Sequence, residues 1–342
     1  MNQSSLDTAV IPRPRKAAGA LLAWRNPGIW FTVGAILVIS IWPILTQEAS
    51  SRETLFTVLL ATVLASSLNI ILGYTGYVSF GHIVFFGLGG YVGFYLLSVP
   101  RFPLWFAVIS GGFSAGLLAF LLGMAILRLR GAYFALATIG VNEALRAFIN
   151  NFPPFGGPVG LTLNFQVYSH YGGASQALWL TYYHLIGLTL AAILLSYFLK
   201  SSKFGLSLIA IREDEDAAEV MGVITPSTKT WAFVLSAILP GMAGVLFFFK
   251  NGNIEPGDAF RLSLSIELLV MVMLGGFGTV LGPIVGAAGY QRLRGFLLIS
   301  PLFKNIQLVV AGIILLIIIL FIPAGAIGWL RNRFPMLRRV LP

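Results

Sequence analysis

Apolar stretches recur along the chain between short polar connections, each close to the roughly 20 residues that cross a ~30 Å hydrocarbon core as helix. They are continuously apolar and lack the dyad alternation of outer-membrane barrel strands, so helices are predicted throughout. Ten candidate spans follow: 29–46, 54–73, 78–98, 103–127, 133–150, 177–199, 230–250, 262–278, 280–299 and 305–325. The pattern predicts an all-α polytopic integral membrane protein with about ten transmembrane helices, in which the eighth and ninth also read as one re-entrant or broken pair.

Composition agrees. The chain is 57% hydrophobic and 10% charged, with a mean hydropathy of +0.88, whereas a water-soluble domain carries about 25% charged residues. The net charge of +10 raises the question of a nucleic-acid partner, but the basic residues flank apolar spans instead of clustering in a folded domain. Membrane orientation accounts for them better. With the N-terminus inside, 14 of the 22 Lys and Arg fall on inner segments, which satisfies the positive-inside rule and puts both termini in the cytoplasm. Residues 1–28, polar and basic with Pro12, Pro14 and Pro27, read as a disordered cytoplasmic tail and not as a cleaved signal peptide. Residues 29–330 form the membrane domain, with an outer loop at 151–176 and a cytoplasmic loop at 200–229, and 331–342 form a basic cytoplasmic tail.

Several chemistries are excluded. Without cysteine there is neither a disulfide nor a thiolate metal site, and His82, His170 and His184 lie too far apart in sequence for a ligand pattern. No metal site is expected. There is no G-x-x-x-x-G-K-[ST] loop to hold ATP and no nucleophile–base constellation. Energy for any transport must come from a partner or an ion gradient.

Two regions carry candidate chemistry. The cytoplasmic loop holds five of the twelve acids, and 206–221 reads as an amphipathic helix. Arg212 and Asp216 stand at i,i+4, Ala217, Val220 and Met221 form an apolar stripe, and Gly222 stops the helix before Pro226. Periodicity alone leaves open a merely solvated charged loop. Within the membrane, Glu143 lies about 15 Å into the fifth span, with Arg146 at i+3 and Asn142 beside it. Such a carboxylate is expensive unless paired or hydrated. The group reads either as a self-contained ion pair or as the wall of a polar path. Gly73, Gly76 and Gly81 interrupt an apolar region with Tyr74, Thr75 and Ser79, and Gly275, Gly276, Gly278 and Gly282 repeat the pattern. Each cluster reads as broken helix beside a path or as a close-packed turn. Glu267 reads as interfacial and structural, and His82 and His184 as packing residues.

Asp216, Ala217, Ala218 and Gly222 form D-A-A-x-x-x-G, which resembles the E-A-A-x-x-x-G signature of ABC importer permeases, with Asp for Glu. The surroundings are more specific. R-E-D-E-D-A-A-E-V-M-G-V (Arg212–Val223), K-T-W-A-F-V-L-S-A-I-L-P-G-M-A-G (Lys229–Gly244), S-I-E-L-L-V-M-V-M-L-G-G-F-G-T-V-L-G-P-I-V-G-A (Ser265–Ala287), L-N-I-I-L-G-Y-T-G-Y-V-S-F-G-H (Leu68–His82) and L-R-G-A-Y-F-A-L-A-T-I-G (Leu129–Gly140) look like the branched-chain amino acid ABC transporter permease family, in its LivM-like branch. Tyr77 departs from that pattern, where the family often carries Gln. The resemblance implies an ATPase-coupling helix carried by Arg212, Glu213, Asp214, Glu215, Asp216, Ala217, Ala218 and Gly222. It implies a translocation path on which Glu143, Arg146, Asn142, Gly73, Tyr74, Gly76, Ser79, Gly275 and Gly276 are the candidates. It further implies ABC ATPase subunits as partners, a second related permease, a periplasmic or extracytoplasmic solute-binding protein, and a prokaryotic inner membrane. No cofactor is expected on this chain, ATP and Mg being held by the partner ATPase. Branched-chain or other neutral amino acids are the implied cargo, with urea or short amides the alternative. From the residues alone an ion-coupled secondary transporter competes, and would need more intramembrane ionisable groups.

Overall fold

Alternating long apolar runs and short connections produce a helix at each of the first nine predicted spans. A computed structural model describes residues 27–299 and 325–333, with isolated positions between 306 and 320. The first helices are α1 (Pro27–Thr46), α2 (Ala49–Thr75), α3 (Ile83–Ser98), α4 (Leu104–Ile126) and α5 (Ala132–Asn150). After two 3₁₀ turns come β1 (Leu161–Thr162), α6 (Gln166–Ser169) and α7 (Ala174–Ser201). Next are α8 (Lys203–Glu213), α9 (Glu215–Val220), α10 (Thr225–Asn251), β2 (Asn253–Ile254), α11 (Pro256–Ala259), α12 (Leu262–Gly275), α13 (Gly282–Ile299) and α14 (Gly325–Arg333). The predicted span at 305–325 falls largely outside the described residues, as does the predicted tail before residue 27. Pro27 and Gly28, assigned to that tail, already belong to α1, and Arg331–Arg333 extend α14.

Five helices, α1, α2, α4, α7 and α10, are long and apolar enough to cross a membrane, and α3 is a shorter apolar helix. The protein is an all-α polytopic membrane protein. The 151–176 loop is tied down by a two-residue antiparallel pairing of β1 with β2, Leu161 opposite Ile254.

The bundle is built around α2 and α10, whose apolar windows are 83% and 78% buried, against 33–44% for α1, α4 and α7. Helices that are apolar all round need other helices on every side, and α10 finds them in α2, α3, α4 and α7. Glycine sets the closeness: a Cβ on Gly111 of α4 would lie 2.8 Å from the carbonyl of Gly89 on α3, and one on Gly89 would strike Gly241 of α10. The α12–α13 pair is an antiparallel hairpin closed through glycines, since a Cβ on Gly275 would collide with the carbonyl of Gly282. Its 276–281 turn reaches the end of α2, where Asn69 receives the Gly278 amide at 2.9 Å and donates to the Thr279 carbonyl at 3.0 Å.

Candidate functional site

The acid-rich segment between α7 and α10 is two helices, not the single helix predicted over 206–221. Asp214 adopts extended backbone (φ −159°, ψ 115°), ends α8 and caps α9, its Oδ1 accepting from the amides of Asp216 and Ala217 at 3.0 Å each. Glu215 and Asp216 then lie in the first turn, where the helix dipole favours carboxylates. Gly222, at φ +89°, stops α9 as its sequence position suggested. Its amide donates to Glu219 O and that of Val223 to Ala218 O, the paired bonds of a Schellman motif. Because of the break, Arg212 and Asp216 do not pair.

Their real partners tie the segment to the ends of several spans. Lys229, in the second turn of α10 and 3% exposed, spends its ammonium protons on three acceptors: Glu215 Oε1 at 2.6 Å, Leu127 O at the end of α4 at 2.9 Å, and Tyr77 Oη at 3.0 Å. Tyr77 donates in turn to Glu215 Oε2 at 2.8 Å. Arg130, just beyond α4, grips Asp216 through both carboxylate oxygens at 2.8 and 3.3 Å. Arg212 donates to the Gly73 carbonyl of α2 at 2.9 Å and pairs with Glu213 at 2.7 Å.

The electrostatics follow. Burial alone would raise the Glu215 carboxyl, but the hydrogen bonds from Lys229 and Tyr77 and the charges of Lys229 and Arg130 outweigh it and hold the group below the usual carboxylate range. The Arg130 hydrogen bonds and charge hold Asp216 down. Burial, reinforced by the acceptor Glu215, pushes the Tyr77 phenol up.

The two alanines of the motif face opposite ways. Ala218 is 3% exposed and packs inward, whereas Ala217 is exposed. Val220, Met221 and Ile224 share that open side, leaving a bare apolar patch on a charged projection.

The predicted path residues separate into two groups. Glu143 and Arg146 do pair, at 3.5 Å, but on the open face of α5, 51% and 43% exposed. Asn142 does not assist them: it is fully buried on the opposite side, donating to Phe260 O at 2.9 Å. The glycine group lies at the projection end of the bundle and is occupied by packing. Gly73 and Tyr74 do not interrupt α2, which runs on to Thr75 with Gly76 as its left-handed cap (φ +77°). A Cβ on Gly73 would strike Asn69 and lie 2.5 Å from the Gly278 amide, Tyr74 Oη bonds Ser196 Oγ at 2.8 Å, and Ser79 is buried in the α2–α3 linker. Gly275 and Gly276 form the α12 end of its hairpin turn.

Four residues had no such role legible along the chain: Lys229, Tyr77 and Arg130 at the projection, and Glu267 away from it. Lys229 read only as a flanking cation and Tyr77 only as an irregularity. Glu267, read as interfacial, is 4% exposed and lies 3.5 Å from Arg294 across the α12–α13 hairpin. An antiparallel reading about Gly275 and Gly282 sets Glu267 opposite Tyr290 and one helical turn from Arg294, and was the available signal. Among the described residues no group of acids and histidines is placed to hold a metal.

A bundle of apolar helices with a small charged projection clamped to its span ends is the architecture of a polytopic membrane protein. Residues 52–319 match the family described as branched-chain amino acid transport system / permease component. The chain belongs to that family. It is 27% identical to the high-affinity branched-chain amino acid transport system permease protein LivM of Escherichia coli over 335 residues, covering 88% of this chain and 76% of that protein. To the protein of the same name from Salmonella typhimurium it is 29% identical over 282 residues, 74% of this chain and 65% of the relative. Against the permease protein LivH of Salmonella typhimurium the identity is 23% over 291 residues, 78% and 90% of the two chains.

Proposed function

We propose that this chain is the membrane-spanning permease subunit of an ATP-driven importer for branched-chain or other neutral amino acids. In this reading it lies in the prokaryotic inner membrane with about ten spans and both termini cytoplasmic. One observation carries the mechanism: the α8–α9 projection is bonded to α2 through Arg212, to the end of α4 through Asp216 and Arg130, and to α10 through Glu215 and Lys229, which itself bonds the Leu127 carbonyl at the end of α4. A push on this projection is transmitted to three spans at once. The exposed Ala217, Val220, Met221 and Ile224 are the docking face for an ABC ATPase subunit, which holds the ATP and Mg that this chain does not.

The solute would be delivered by an extracytoplasmic binding protein. The Glu143–Arg146 pair faces away from this subunit's own core, so a path that it lines would lie between this chain and a second related permease. Relatives named LivM and LivH, both similar to this chain, support such a pairing and the class of solute.

Affinity purification from native membranes in mild detergent, followed by mass spectrometry, tests the reading. A stoichiometric subunit with a phosphate-binding loop, together with a second hydrophobic subunit, is the expected result. If the chain purifies alone and moves amino acids in liposomes under an ion gradient, the ATP-driven reading fails.

A further inference from the structure

At the end of the bundle opposite the projection, α2, α3, α10, α12 and α13 enclose a cavity of about 220 Å³. At ~30 Å³ per water-sized group, it has room for a molecule of about seven or more non-hydrogen atoms. Its floor is apolar, made by Leu60, Leu64, Phe86, Phe248, Leu268 and Met271. Its mouth is charged with both signs: Glu255, Asp258, Arg261 and Arg294 all line it.

Three of these four charges are not paired among the described residues. Glu255, Asp258 and Arg261 make no ion pair or side-chain hydrogen bond among the described residues, although they stand within seven positions of one another. Arg294 faces the buried Glu267 at 3.5 Å, yet its Nε is buried without a hydrogen-bond partner. Unsatisfied buried donors are costly and call for an acceptor. A mouth of one sign would suit a simple ion, and an uncharged apolar cleft would suit an acyl chain. Convergent charges of both signs above an apolar floor suit a small molecule that carries both charges and an aliphatic group.

We propose that this cavity binds a zwitterionic amino acid with an aliphatic side chain. Its carboxylate meets Arg261 and Arg294, its ammonium meets Glu255 and Asp258, and its side chain enters the floor. The site lies within one subunit and is separate from the Glu143–Arg146 pair. The proposal takes from the importer reading only the expectation that an amino acid passes this protein; charge, size and apolarity come from the cavity.

The test is equilibrium binding of radiolabelled L-leucine to the full chain, extracted from its membranes into lipid nanodiscs, in the absence of ATP. Saturable binding is expected, displaced by L-valine but not by 4-methylpentanoate or 3-methylbutylamine, each of which lacks one charge. Arg261→Gln and Asp258→Asn, both at exposed positions, should each weaken binding by about tenfold, and Ala61→Phe, which fills the cavity, should abolish it. Absence of saturable binding, or binding indifferent to all three substitutions, overturns the proposal. Displacement of leucine by a short-chain phosphatidylethanolamine also overturns it, by assigning the cavity to a lipid headgroup. None of these outcomes depends on an ATPase being bound, so failure here leaves the importer reading to the purification experiment.

Discussion

Lys229 shows how one side chain can join parts of the chain that are far apart in sequence. Its ammonium is buried yet bonded to a carboxylate, a phenol and a carbonyl, which is the full capacity of the group. Removing one member of such a buried pair leaves the other uncompensated, so Lys229→Met should destabilise the protein by about 3 kcal/mol. Tyr77→Phe, which removes a single bridge, should cost about 1 kcal/mol. Thermal melting in detergent checks both. The pH dependence has a definite sign. Glu215 and Asp216 titrate below their ordinary values of 4.5 and 3.8 once folded, so the stability they contribute is complete above about pH 4.5. It is lost as pH falls through the depressed folded values. Melting temperature should therefore hold steady from pH 8 to about pH 5 and drop below that, and Glu215→Gln should shrink the drop. Lys229 and Tyr77 were invisible in this role along the sequence, because 152 positions separate them and no local pattern announces the contact.

At the scale of elements, the projection is a case where local and distant forces divide the decision. Gly222 was legible as a helix stop, since only its left-handed backbone closes the turn. The break at Asp214 was not, because the same residues continue a helix comfortably. Arg212 reaches back to Gly73 while Glu215 reaches forward to Lys229, partners distant in sequence that no local pattern announces. Asp214→Ala should remove the cap and cost about 1 kcal/mol of local stability, visible as faster amide exchange over 215–221. Ala217 and Ala218 should respond differently to Trp. Ala217→Trp, on the open face, should abolish solute uptake with melting unchanged, whereas Ala218→Trp should lower the melting temperature. Uptake at the normal rate in Ala217→Trp would remove this face as the coupling surface.

For the whole molecule, the informative fact is which face of each helix the bundle leaves open. Buried positions on α5 are Phe134, Thr138, Asn142 and Ile149, a narrow stripe, so Glu143 and Arg146 look outward. An exposed pair of this kind contributes little to stability. Glu143→Gln should therefore leave melting within experimental error while lowering uptake, and undiminished uptake would exclude the pair from the path.

Fold class and family were both legible along the chain. Apolar runs of bilayer length admit only helices, because backbone groups in hydrocarbon must be satisfied within the segment, and the motifs between Leu68 and Ala287 are each contiguous strings. Tertiary structure alone decided which helices are central, where the acid-rich segment bends, that Glu267 is buried opposite Arg294, and that charges from α11 to α13 converge over one cavity. Those are relations between segments. Continuously apolar helices carry no stripe to mark the inward face, so burial was settled by close glycine contacts and by polar side chains finding partners across the bundle.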